Sequence, residues 1–280
     1  MRMKRAILRN LLRQRILRAD DSFEQLHAKV EEIFIVSWGN ALDDALADAL
    51  EVVKAGGDAE AVITAVEVAC GGDAMQSAVS AKLTQLTGAI MESGWNEAGV
   101  GIAFNAADTK AIATIKSGNL FWVRSHWNEY TGELIEKILT DSFEIGGDSL
   151  PNIAANLEKA FTGIQAGTDA YWTTLADHID TKTREIGRLL AFEERGEEYA
   201  VVRARVDNRT TPFCKAANGK VLKISDLTAQ RNQYMEAVRG KDIDKVKEIW
   251  PMKRDAAAAS GNIGMPPYHF RCRTILVGKV

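Results

Sequence analysis

The pattern that most restricts this chain runs from Ser22 to about Arg195, where apolar residues return every three or four positions almost without a break. Residues 23–53, 75–91, 120–143 and 171–192 carry it most clearly. That period lines the apolar side chains along one stripe of a helix, and successive stripes of this kind are buried helix against helix. Three triplets punctuate the region: Gly56-Gly57-Asp58, Gly71-Gly72-Asp73 and Gly146-Gly147-Asp148. Glycine closes a helix by adopting the left-handed conformation, and aspartate accepts hydrogen bonds from the free N–H groups that open the next. Asp58 and Asp73 are therefore predicted N-caps. After the third triplet Ser149 can take the cap instead, because Pro151 suits a first helical turn. The triplets have neither the glycine spacing nor the lysine of a phosphate loop.

Near Gly196 the texture changes. Residues 199–206 alternate well enough for a strand, 208–219 read as a turn-rich loop, and 220–224 as a second short strand. Ser225 is the predicted cap of a helix to about Arg239, and Asp242 of a shorter one to Trp250. Residues 256–264 read as a glycine- and alanine-rich linker, and 273–277 as a last strand pairing with one of the earlier two. The expected organisation is a basic amphipathic arm (1–20), a helical body (21–196) and a small module (197–280). The expected fold class is mainly α: a long helical body followed by a small C-terminal α+β module with a short antiparallel sheet.

Charge is divided along the chain. The net charge is −3, yet residues 1–19 hold 7 bases and no acid, residues 20–197 hold 12 bases and 30 acids, and residues 198–280 hold 16 bases and 8 acids. Such asymmetry speaks to partners, not to fold. Either basic end can meet nucleic acid or an acidic protein surface, or pack on the acidic body. In the arm, Arg5, Arg9 and Arg13 surround a stripe that includes Ile7, Leu8, Leu11 and Leu12. No run of about 18 uncharged apolar residues occurs, so no membrane-spanning helix and no membrane partner are expected, while the arm has the form of a transit peptide, a membrane-surface helix, a docking arm or a first helix packed on its own body. Three cysteines and five prolines argue against a disulfide framework and for folding in a reducing compartment.

The candidate chemistry lies in the C-terminal module. Cys214 ends Asn208-Arg-Thr-Thr-Pro-Phe-Cys, and His269 precedes Cys272 by three residues in Pro-Pro-Tyr-His-Phe-Arg-Cys-Arg. If the last strand returns to the loop that bears Cys214, these three side chains converge. They then suit a zinc site, which usually takes four ligands and finds here only Asp207 as a poor fourth. They also suit a Cys–His nucleophile, for which no oxyanion hole is visible. The third reading is structural, with His269 bonded to a backbone carbonyl and the cysteines packed as small apolar groups or paired on oxidation. The structural reading leads, with no catalytic residue and no cofactor expected. His27, His126 and His178 stand singly in helical segments. Cys70 reads as buried, and Trp122, Trp127 and Trp172 read as packing anchors. Glu193-Glu194 and Glu197-Glu198 read as solvated turn residues.

The module resembles the minor head proteins of tailed bacteriophages, the Mu F-like or phage head morphogenesis family. The resemblance rests on Arg205-Val-Asp-Asn-Arg-Thr-Thr-Pro-Phe-Cys214, Asn218-Gly219-Lys220-Val221 and Pro266-Pro267-Tyr-His269-Phe-Arg-Cys272-Arg273-Thr274. Upstream, Thr183-Arg184-Glu185 and Gly187-Arg188-Leu-Leu-Ala-Phe-Glu193-Glu194-Arg-Gly196 look like the helix leading into the family's module. It covers roughly the last hundred residues. Many members carry two more cysteines, where this chain has Thr211 and Thr274. The resemblance implies a low-copy component of the virion head, made in the bacterial host cytoplasm, that meets the portal or major capsid protein and acts in head morphogenesis or genome delivery. Arg203, Arg205, Arg209, Lys215, Arg271 and Arg273 would then be placed to meet packaged DNA without reading its sequence. A Cys/His-dependent enzyme, hydrolase or toxin-like, and a plain nucleic-acid-binding module are the alternatives.

Overall fold

The computed structural model of the chain describes residues 22–98, 104, 112–115, 117–120, 123, 133–146, 149–208 and 210–279. Among these the chain is mainly α, with a small antiparallel sheet near its C-terminal end. Five helices come first: α1 (Ser22–Lys54), α2 (Ala59–Cys70), α3 (Gly72–Glu97), α4 (Glu133–Gly146) and α5 (Leu150–Glu194). Then follow β1 (Tyr199–Arg203), α6 (Pro212–Ala217), β2 (Val221–Lys223), α7 (Ile224–Arg239), α8 (Ile243–Ile249), a 3-10 turn (Ala256–Ala259) and β3 (Ile275–Gly278). The basic arm with Arg5, Arg9 and Arg13 lies outside the described residues, as do Trp122, His126, Trp127, Asp148 and Arg209.

The helix ends follow local chemistry. Asp58 caps α2 as expected, its Oδ1 accepting from the Ala61 N–H at 2.9 Å. Asp73 does not cap: α3 already begins at Gly72, and Asp73 stands in its first turn, where a carboxylate still faces the positive end of the helix dipole. The Ser149 carbonyl accepts from the Ile153 N–H at 3.0 Å, with Pro151 in the first turn of α5. At the far end Gly196 takes φ +69°, and the Glu197 N–H reaches back to the Phe192 carbonyl at 3.0 Å. That left-handed turn ends the helix.

The chain divides into two compact units. The first comprises Ala28–Leu83 and the described part of Leu120–Leu175. Its core holds Phe34, Trp38 and Leu42 of α1 with Leu157, Phe161 and Trp172 of α5, all fully buried. Phe34 stacks on Trp172 with centroids 5.5 Å apart. The Trp38 indole N–H donates to Thr168 Oγ1 at 2.6 Å, so its polar edge is satisfied inside the core. Cys70 is buried here, at the end of α2.

The second unit comprises residues 22–27, the described part of Thr84–Asn119, and Ala176 onward. Residues 197–279 are thus packed as one unit with the ends of α1 and α3 and the last third of α5. Two glycines let α3 and α5 cross closely. A Cβ at Gly94 would fall on the Arg184 carbonyl, and one at Gly187 on the Met91 carbonyl. Beside the crossing, Glu97 accepts from both Arg184 and Arg188. His27, which stood alone in the sequence, pairs with buried Asp180 at 2.9 Å.

The sheet has the order β2-β1-β3, with β1 central and both pairings antiparallel. Ala200 and Val202 of β1, Leu222 of β2 and Leu276 of β3 are buried, as a period of two requires. Glu185 of α5 accepts the Leu276 N–H at 3.0 Å and so ties the helix to the last strand. Between β1 and β2 the expected loop contains a helix, α6, because Thr211-Pro212 is a cap followed by proline at the first helical position, not a turn. Ser225 is not a cap: α7 begins at Ile224 directly from the strand. Asp242 does cap α8, accepting from the Lys245 N–H at 3.0 Å. The expected linker is pinned, with Ala259 and Ile263 buried and Lys253 Nζ donating to the Ile263 carbonyl at 2.8 Å. Glu193 and Glu197 are not simply solvated, since Arg231 pairs with the first and Arg195 with the second.

Candidate functional site

Two segments build the site. The first is the opening turn of α6, where Thr211 Oγ1 accepts from the Cys214 N–H at 3.3 Å and fixes the direction of that turn. The second is the stretch from Tyr268 to Thr274 that leads into β3. Its ring Tyr268 packs on Phe213 at 4.7 Å, its phenol donates to the Gly264 carbonyl at 3.0 Å, and its own carbonyl accepts from the Lys253 N–H at 2.6 Å. Arg271 then takes the left-handed conformation, φ +58°, which turns the chain so that His269 and Cys272 face the same way. The Arg271 N–H donates to Asp177 Oδ2 of α5 at 2.7 Å, and His178 packs edge-on against Phe270 at 5.1 Å.

Cys214, His269 and Cys272 converge, as the motif reading required. Cys214 Sγ lies 3.2 Å from His269 Nε2 and 3.8 Å from Cys272 Sγ. All three ligand atoms lie within 4.8 Å of one another. The residues are 2%, 8% and 5% exposed in that order. His269 Nδ1 is 2.8 Å from the Phe270 carbonyl, which can only accept, so Nδ1 carries the proton in the neutral ring. The Nε2 lone pair then points at Cys214 Sγ and Thr211 Oγ1, the latter at 3.1 Å. The cysteines are free thiols. Hydrogen bonding from Cys272, helped by Thr211 and Thr274, holds the Cys214 thiol below its ordinary value. The same bond to Cys214, with burial, pushes Cys272 up. His269 is raised, chiefly by its hydrogen bond with Cys272.

A small recess touches this cluster and is lined by Arg205, Thr210, Cys214, His269, Arg271, Arg273 and Thr274. Of the basic residues predicted to meet a partner, Arg205, Arg271 and Arg273 therefore gather there. Arg203 and Lys215 are exposed elsewhere on the module. Asp207, considered as a fourth ligand, instead accepts from Arg273 Nη2 at 2.7 Å. The arrangement can hold a soft divalent metal, act as a hydrogen-bonded thiol pair, or present a thiol beside an imidazole.

Two buried ionisable groups near the module escaped the sequence reading. Burial pushes the Glu185 carboxyl up to about 8, against the nearby charge of Arg184 and the Leu276 N–H. Burial pushes Lys182 down to about 7, with the Tyr234 and Trp250 rings each 5.0 Å from Nζ. The available signal was position: Lys182 falls between Ile179 and Ile186 on the apolar stripe of α5, and Glu185 lies four residues before Leu189. Comparison with family models, with curated proteins and with solved structures finds no match.

Proposed function

We propose that this chain is a structural minor head protein of a tailed phage, associated with the portal or head interior and acting in head morphogenesis or genome delivery. One observation carries the reading: side chains of the blocks behind the family resemblance are spent inside the module, and the first and last blocks are tied to each other. Asn218 Oδ1 accepts the Ala204 N–H at 3.0 Å, Thr210 Oγ1 accepts the Asp207 N–H at 2.8 Å, Arg273 pairs with Asp207, and Thr211 meets His269. Motif residues used in this way lock a module closed. A substrate would instead need them open.

Cys214, a candidate nucleophile beside a base, is 2% exposed, which supports a structural over a hydrolytic role. The arginines at the recess suit a phosphate backbone or an acidic protein face. Mass spectrometry of purified particles from the encoding phage tests the reading directly. The chain is expected in the head at low copy and should co-purify with portal; particles complete without it would refute the proposal. Any DNA contact should weaken steeply with added salt, as counterion release demands.

A further inference from the structure

We propose that Cys214, His269 and Cys272 form a three-ligand centre for a soft divalent metal, zinc above all, with water at the fourth position. Zinc bonds of about 2.3 Å to sulfur and about 2.0 Å to nitrogen, set at tetrahedral angles, separate two sulfurs by about 3.8 Å and sulfur from nitrogen by about 3.5 Å. The two cysteine sulfurs stand at 3.8 Å, and Cys214 Sγ stands 3.2 Å from His269 Nε2. Seating an ion asks the imidazole to withdraw by a few tenths of an ångström. The ring is already in the required form, because Nδ1 donates to the Phe270 carbonyl at 2.8 Å and leaves Nε2 as the bare donor atom. An N–H anchored on a backbone carbonyl is the usual support of a metal-binding histidine.

Charge also balances. Binding displaces to solvent whatever protons the two thiols still hold, and two thiolates neutralise a divalent cation in a site that is nearly closed. That neutrality matters here, since Arg205, Arg271 and Arg273 line the recess that reaches Cys214 and His269. An uncompensated cation would be repelled; a neutral dithiolate complex is not. The recess gives water access to the remaining position, and three protein ligands with one water is a coordination that zinc accepts.

The test uses the full chain expressed in zinc-supplemented medium and purified without chelator. Elemental analysis should find about one zinc per chain, and cobalt exchange should produce thiolate-to-cobalt charge-transfer and tetrahedral ligand-field bands. Cys272→Ser should lose the metal and the bands. Cys70→Ser, which alters a buried thiol in the other unit, should keep both. His269→Cys restores a ligand and should keep the metal with a stronger charge-transfer band, whereas His269→Ala should lose it. Metal-free wild-type protein in which Cys214 and Cys272 are both alkylatable, or are joined in a disulfide, overturns the proposal. So does equal metal retention by Cys272→Ser and wild type.

Discussion

Replacing Lys182 by methionine removes a titratable group from the second unit while keeping most of the side-chain volume. The amine is 4% exposed and faces the rings of Tyr234 and Trp250. Burial lowers it from 10.5 to about 7 in the folded chain, and the rings offset only part of that penalty. Unfolded, Lys182 keeps its proton up to the ordinary value. Between the two pH values the unfolded chain therefore binds the extra proton, and lowering the pH favours unfolding. At ~1.4 kcal/mol per pK unit, the full window corresponds to about 5 kcal/mol, lost progressively from pH 10.5 down to about 7 and then levelling off. Methionine has no such dependence. Urea unfolding of both proteins at pH values spaced between about 7 and 10 should show the variant's advantage growing by ~1.4 kcal/mol for each unit of acidification. Every other titration cancels in the difference. A stability difference that stays flat with pH would refute the buried-amine argument.

Three further outcomes are expected. Glu185→Gln should remove a loss of stability that develops as pH rises from about 4.5 to about 8, because the folded carboxyl holds its proton up to about 8 while the unfolded one sheds it near 4.5; thermal melts on either side of that window will show whether the wild type alone declines. Gly187→Ala should cost about 1–3 kcal/mol in urea unfolding despite alanine's better helix propensity, since the new methyl falls on the Met91 carbonyl. Trp38→Ala should cost about 3–5 kcal/mol, read from the denaturant midpoint, by emptying a core site beside Trp172 and removing the indole donor to Thr168 Oγ1.

The helices were legible because burial leaves a periodic trace. Residues 23–53 gave α1 almost to the residue, and Asp58 and Asp242 behaved as caps. Failures came where one residue type serves two purposes. Pro212 reads equally as a turn former and as the first residue of a helix, and Thr211 decides between them only through its bond to the Cys214 N–H. Ser225 follows Ile224, which runs from strand to helix without needing a side-chain cap. The Cys214, His269 and Cys272 cluster was legible because chemically distinctive residues in the last strand's approach had one plausible counterpart upstream. Partners across long separations were not. Asp180 with His27, and Asp177 with the Arg271 N–H, are ordinary charges in a helical pattern until packing turns them inward.

The central strand β1 is bordered on one side by β2, close in sequence, and on the other by β3, more than seventy residues later. The β1–α6–β2 segment can form early from local contacts, whereas the second border must wait for a long loop to close. His269 and Cys272 arrive with that late segment, 55 and 58 residues after Cys214. Maturation of this chain is then expected to be ordered in time: until β3 docks, Cys214 stands without its neighbours and the Glu185 carboxyl without the Leu276 amide. Nascent or truncated chains should be the forms most open to thiol oxidation and to capture by quality-control proteases.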